Sequence, residues 1–294
     1  MSRWIGLPYP PGFMKVPVKE KTTLLDFLVE KLRPASKTKI RKMIKHGGVL
    51  LNGDIINRTD YSLLPGEIIE IRRPVTPAPF PILYEDPYLI ALEKPPGLLS
   101  MGTGKENSET FYKAVNQNVG IRSHYRERIF IVHRLDREAS GIMLFAKTPE
   151  VKEILQKNWS ETEKRYCALV EGHPAEKEGT VKSWLKESPS YKVYSDVKGP
   201  HAKYAVTHYR KIREYLRHSL LEIRPETGRK NQIRVHLSVI GCPIVGDKKY
   251  GAKGNPIRRL GLHAFALSFN HPVTGKRIRL ESPIPKAFIE FGKK

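Results

Sequence analysis

The chain has 294 residues, 39% hydrophobic and 28% charged, which supplies a sizeable core, allows more than one domain and excludes a wholly disordered chain. Lys and Arg number 52 against 30 Asp and Glu, a formal net charge of +22, and so basic a balance favours a polyanionic partner, nucleic acid or an anionic membrane surface. No apolar run is long enough to span a bilayer, "MSRWIGLPYPPGFMKVPV" has no signal-peptide core, and only Cys167 and Cys242 are present. Two cysteines fit a reducing compartment and leave no Cys-based zinc site. The expectation is a cytoplasmic protein that meets nucleic acid.

Residues 1–21 read as an N-terminal extension, and residues 22–73 as a small independent module. In "TTLLDFLVEKL", Leu24, Leu25, Phe27, Leu28 and Leu32 approach the spacing of a buried helical face, with Thr22 or Thr23 as N-cap. "SKTKIRKMIKHGG" repeats the pattern: Ser36 caps, Ile40, Met43 and Ile44 face inward, and Gly47-Gly48 stops the helix. "VLLNGDIIN" is a hairpin turning at Asn52-Gly53, and "LLPGEIIEI" adds further strand. Between Lys31 and Lys45 stand seven basic residues and no acidic one. A helix stabilised by its own ion pairs would carry carboxylates, so phosphate contact by Lys37, Lys39, Arg41, Lys42 and Lys45 explains the run better than a solvated face does. Two helices, the second basic, followed by a "V-x-NG" strand resemble the S4 domain, an RNA-binding module whose basic helix meets the RNA backbone.

"RRPVTPAPFP" carries four prolines that forbid helix and interior strand, so residues 74–81 read as a linker. From residue 82 to 294, strands outnumber helices and several are joined by hairpin turns, which predicts an α+β domain. "YLIALEK", "IFIV", "IMLFA", "KRYCALVEG", "SLLEIRP", "LHAFALSFN" and "KRIRLES" read as strands, the last two joined by "NHPVTG". "TPEVKEILQKNW" begins as a capped helix with Pro at its first position, and "GRKNQIRVHLSVIG" is helical at its centre.

The stretch "FIVHRLDREASGIMLFAKT", residues 130–148, sets His133, Arg134, Asp136, Arg137 and Glu138 between two apolar runs. Alone it is a charged connection on a rigid scaffold, where chemistry is often found. "HRLDREASG" resembles the catalytic motif of the pseudouridine synthases of the RluA family, H-R-L-D-x-x-T-S-G. In order, "YEDPYLIALEKPPGLLS", "EKRYCALVEG" and "RPETGRKNQIRVHLSVIGCPIVGDKKYG" resemble its other motifs, and the likeness runs from Tyr84 to Pro285. Four motifs in sequence are specific where one is not.

The resemblance implies a catalytic domain with a large mixed, mainly antiparallel sheet behind the S4-like module. It also implies a reaction: the N1–C1′ bond of a uridine in RNA breaks and the base rejoins through C5. No electron changes hands, so neither cofactor nor metal is needed. Asp136 is implied as the essential carboxylate, by attack or by removal of a sugar proton. Burial alone would favour its neutral form, so it needs a cation, for which Arg234 is the match. Tyr166 matches the family's active-site tyrosine; with a phenol pKa of about 10, stacking on uracil suits it better than base catalysis. The uridine must be flipped out, with Arg134 filling the vacated space and Ile233 forming an apolar pocket wall. Ala139 stands where Thr is usual, and Lys230-Asn231 where Thr-His is usual; these departures bear on substrate preference.

Three readings compete. The favoured one is an RNA pseudouridine synthase, a cytoplasmic monomer acting on large-subunit ribosomal RNA, with tRNA as the alternative substrate. The second is a non-catalytic RNA-binding or ribosome-assembly protein. The third is a metal-dependent nuclease built on His133, Asp136, His236 and His263, whose spacing is unlike that of metal ligands.

Overall fold

The computed structural model describes residues 14–33, 35–45, 48–71, 80–102, 110–122 and 127–292, and of Met14, Lys39, Lys42, Ile121 and Arg122 the backbone alone. These fall into two compact units, Met1–Pro79 with Asn116–Arg128, and Phe80–Val115 with Ile129–Lys294.

The first unit contains β1 (Met14–Pro17), β2 (Thr22–Thr23), α1 (Leu24–Lys31), α2 (Lys37–Lys45), β3 (Val49–Leu51), β4 (Asp54–Ile55), β5 (Ser62–Leu63) and β6 (Ile68–Ile71). Thr23 is the α1 N-cap, its hydroxyl oxygen accepting from the Asp26 amide, as the pattern predicts. Leu24, Phe27 and Leu28 of α1 and Ile40, Met43 and Ile44 of α2 are buried in one cluster with Val49, Leu63 and Ile69. Asn52 and Gly53 both have positive φ, the geometry of the tight turn that Asn-Gly favours. One boundary is corrected. The sheet order is β1-β6-β3-β4, so Met14–Pro17, expected in an extension, is a strand paired to Ile68–Ile71, and Val18 joins the core. Gly47 and residues 74–79 of the expected linker lie outside the described residues.

The second unit comprises β7 (Ile82–Glu85), β8 (Leu89–Lys94), α3 (Phe111–Arg122, which continues past Val115), β9 (Phe130–Ile131), β10 (Ser140–Ala146), α4 (Pro149–Lys157), β11 (Glu163–Glu171), β12 (Glu178–Glu187), β13 (Val193–Asp196), β14 (Lys203–Tyr215), β15 (His218–Pro225), α5 (Gln232–Val239), β16 (Leu262–Asn270), β17 (Arg277–Glu281) and α6 (Lys286–Ile289). Eleven strands form one mixed sheet, ordered β13-β12-β14-β15-β11-β16-β10-β8-β7, with β17 beside β16 and β9 beside β10. The contact of β10 with β16 is parallel, whereas β10 with β8 and β11 with its two neighbours are antiparallel.

Every residue of β10 is buried, as its unbroken apolar run requires of a central strand. Gly141 makes the parallel contact with β16: a Cβ there would lie 2.2 Å from the Ala264 carbonyl oxygen. α5 packs on one end of the sheet, where Val235 clusters with Leu185, Val193, Ala205 and Tyr250. The reading from residue 82 missed β7, β12, β13, β14, α3 and α6.

Candidate active site

The polar loop between β9 and β10 is held from two sides. Lys94, at the end of β8, is fully buried and its ammonium donates to the carbonyls of Pro95 (2.8 Å), Leu98 (2.7 Å) and Arg137 (3.0 Å). Burial pushes its pKa down to about 8, while Glu138 and Asp136 act to raise it. The Ser100 hydroxyl donates to the Leu135 carbonyl at 2.6 Å and accepts from the Leu135 amide at 3.1 Å. Together these contacts fix the backbone on both sides of Asp136, whose side chain is left half-buried.

Behind the loop runs a hydrogen-bonded chain with one consistent polarity. The Ser282 hydroxyl donates to Glu93 (2.8 Å), so its oxygen is the acceptor for His263 Nε2–H (3.2 Å). His263 Nδ1 then accepts from the Ser140 hydroxyl (2.7 Å), and Ser140 Oγ accepts from Arg259 (2.5 Å). A cation at one end and a carboxylate at the other align every donor.

His133 is a scaffold residue. Its Nε2 accepts from the Leu144 amide at 3.0 Å, and its ring stacks on Trp159 with centroids 4.6 Å apart. Burial, aided by the Lys164 charge, pushes its pKa down to about 3, so the ring is a neutral acceptor. His236 bonds the hydroxyls of Thr207 and Ser183 through its two nitrogens, as His263 does with Ser140 and Ser282. These three rings therefore offer no free lone pair of the kind a metal takes. Among the described residues no cluster of three or more His, Cys, Asp or Glu is placed to hold an ion.

The structure brings Asp136, Tyr166 and Arg234 together. Arg234 Nη1 lies 3.4 Å from Asp136 Oδ2. Its stronger partner is Asp247, reached by Nε at 2.7 Å and Nη2 at 2.8 Å in a two-pronged pair, with the Asp247 side chain 1% exposed. Burial opposes the charge on Arg234, but its bonds to Asp247 and Asp136 outweigh that and hold its pKa above the ordinary value. The guanidinium also sits 4.9 Å from the Tyr250 ring centroid. Tyr166, on β11, is pushed up by burial first and by the Asp136 charge second, which keeps the phenol protonated. Ile233, in the first turn of α5, is 8% exposed. Arg134 is exposed and has no bonded partner among the described residues.

Sequence reasoning missed Asp247 and Asn231. Asn231 adopts φ +52°, a left-handed conformation that asparagine tolerates better than most residues. Its Oδ1 accepts from Arg234 at 3.0 Å, and its Nδ2 donates to the Tyr250 hydroxyl at 3.1 Å. The departure at this position thus supplies a fourth hydrogen bond that orients Arg234. Lys230, expected to add charge toward RNA, is ion-paired with Glu187. On the first unit, Lys37, Arg41 and Lys45 are exposed along α2, while the side chains of Lys39 and Lys42 lie outside the described residues.

The site is thus a carboxylate loop clamped against one strand of a mixed sheet with an arginine on a helix beside it, and the comparisons with known proteins give its class. Residues 88–239 match the RNA pseudouridylate synthase family and residues 23–69 the S4 domain. An uncharacterized RNA pseudouridine synthase of Mycobacterium bovis is 31% identical, over 95% of this chain and 94% of that protein. A ribosomal large subunit pseudouridine synthase D of Xylella fastidiosa is 32% identical, over 90% of this chain and 86% of that one. The solved structure of human RNA pseudouridylate synthase domain containing 4 superposes with TM-score 0.60 at 26% identity, covering 71% of this chain and 90% of its own. The chain belongs to the RNA pseudouridylate synthase family, enzymes that isomerise uridine to pseudouridine in RNA, and carries an S4 domain before its catalytic unit.

Proposed function

We propose that this chain acts on uridines of large-subunit ribosomal RNA, as a cytoplasmic monomer, with Asp136 as its catalytic carboxylate. The carrying observation is the shared guanidinium: Arg234, oriented by Asp247, presents a charge to the half-buried Asp136. A fixed positive charge at this carboxylate is preorganised to meet charge that develops there during the reaction. Asp136 then acts as a nucleophile on the ribose or base, or as a base that removes a sugar proton. In either route the N1–C1′ bond breaks, a C5–C1′ bond forms, and the C5 proton is lost while N1 regains one. The balance is internal to the nucleotide, so the chemistry requires neither metal nor redox cofactor.

Tyr166, held as the neutral phenol, is suited to stacking on the flipped uracil. Ile233 walls the pocket, and exposed Arg134 is free to fill the space that the base leaves. Lys37, Lys39, Arg41, Lys42 and Lys45 of the S4 unit take the RNA backbone. The ribosomal target rests on the relative from Xylella fastidiosa, whose name states a large-subunit substrate. We assign RNA binding to residues 22–73, widened by β1, and catalysis to residues 82–294.

Tritium release from 5-tritiated uridine in ribosomal RNA, without added metal, tests this reading. Wild type should release tritium and Asp136→Asn should not, while both bind RNA within several-fold. Release by both would remove Asp136 from the mechanism. Release from tRNA alone would overturn the ribosomal target.

A further inference from the structure

In β12, β13 and β14 the alternation of an antiparallel sheet places one face on α5 and the other in solvent. Leu185, Val193 and Ala205 face inward, in the cluster with Val235 and Tyr250. Their chain neighbours Trp184, Tyr194 and Tyr204 therefore face outward, where a solvated sheet normally carries polar side chains. Register confirms that they share a face, since Trp184 pairs with Tyr204 across one strand boundary and Lys186 with Tyr194 across the other. Tyr194 and Tyr204 are 38% and 42% exposed, and Trp184 and Tyr204 have ring centroids 5.3 Å apart.

Cations interleave these rings. Lys182 and Lys186 flank Trp184 along the outward face of β12, and the Lys198 ammonium lies 5.8 Å from the Trp184 centroid. Asp196, opposite Trp184, is the acid nearest these rings and accepts from the Val197 amide, while Glu178 and Glu226, farther along the face, are matched by Arg210 and His208. Aromatic planes between ammonium groups match a single-stranded nucleic acid, whose bases stack on the rings while its phosphates meet the lysines. A protein partner would call for apolar bulk without such interleaved cations.

We infer that the outward face of β12–β14, centred on Trp184 and Tyr204, is a further RNA-binding surface that takes an unpaired segment by stacking. It uses the opposite side of β12 and β14 from the side that packs on α5. Its role is to grip unpaired RNA flanking the modified nucleotide, a contact tolerant of sequence because every base has a π face.

The test is equilibrium binding of the full-length chain to a fluorescein-labelled unstructured oligouridine over a range of salt. Trp184→Ala with Tyr204→Ala should weaken binding by at least about fivefold, the lower end of what removing one base stack costs. Trp184→Phe with Tyr204→Phe keeps the planes and should bind within about twofold of wild type. Lys182→Ala with Lys186→Ala, both solvent-facing, should flatten the slope of log K against log salt by up to about 1.4, at roughly 0.7 per neutralised phosphate on a single strand. Wild-type affinity in the folded alanine pair, or an unchanged salt slope in the lysine pair, overturns the inference. Isomerisation is not read in this experiment, so an inactive Asp136 would not alter its outcome.

Discussion

Arg234 grips Asp247 with two nitrogens, at 2.7 and 2.8 Å, and meets Asp136 with a third at 3.4 Å. The short, two-pronged contact fixes the plane of the guanidinium, and the long one leaves Asp136 free to move toward substrate. Asp247 is therefore a positioning residue. Asp247→Asn keeps the shape but removes the charge that anchors the fork, so Arg234 should drift toward Asp136. Single-turnover isomerisation should slow about 100-fold, the scale of a misplacement near 1 Å, with RNA affinity within several-fold. A parallel collapse of rate and affinity would instead point to a damaged fold.

Gly141 lies where the catalytic loop enters β10, at φ +116°, with a would-be Cβ 2.2 Å from the Ala264 carbonyl oxygen and 2.6 Å from its nitrogen. Both neighbours are backbone, so no side chain can move aside. Gly141→Ala should cost about 4 kcal/mol or more, the range reserved for a change the structure cannot absorb. Denaturant unfolding measures it. A loss below about 1 kcal/mol, the usual cost of a point mutation, would mean that β10 and β16 can separate at this point.

The sequence motifs resembled the family and through that likeness pointed to Asp136, Tyr166 and Arg234; of the three only Asp136, in a charged loop between two apolar strands, stood out by its own pattern. The residues that orient them left none. Asp247 and Asn231 sit in irregular backbone, where no periodicity marks a side chain as buried or bonded. His133 shows the converse: it stands inside the motif yet accepts a bond from the Leu144 amide. The strands β12 and β14 were missed because their inward positions include Ser183 and Thr207, which bond His236, while aromatic and charged residues occupy the outward ones. Alternation survives there in space but not as an apolar pattern. α3 was missed because Asn116, Asn118 and Gly120 interrupt its apolar spacing.

His236 and His263 make the catalytic unit sensitive to acid. Both are fully buried, and burial pushes each pKa down to about 4, Arg259 adding to the effect at His263. In the unfolded chain each takes a proton below about 6.5, while in the fold it does so only near 4. Between those values the unfolded state binds more protons, so stability falls as pH falls, by up to about 1.4 kcal/mol per pH unit for each ring. Above 6.5 neither contributes a slope. His263→Asn, which keeps a donor and an acceptor, should reduce the dependence by about one proton between pH 6 and 5, read by urea unfolding. An unchanged dependence would show that His263 is charged in the fold.

The basic helix α2 presents Lys37, Arg41 and Lys45 to solvent and has no acidic residue in its first turn. Like charges one turn apart repel, so the helix carries a strain that a bound phosphate backbone would relieve. Replacing Lys37, Arg41 and Lys45 together by Ala should weaken RNA binding and reduce its salt slope by about 2 to 3, at roughly 0.7 to 0.9 for each phosphate no longer neutralised. The single-turnover rate at saturating RNA should hold, because these residues belong to the S4 unit and not to the chemistry at Asp136. The same triple change should leave the isolated fold intact or make it slightly more stable, since it removes repulsion and adds good helix formers. A weaker complex with an unchanged salt slope would assign the effect to altered packing of α2 and remove the helix from the RNA interface.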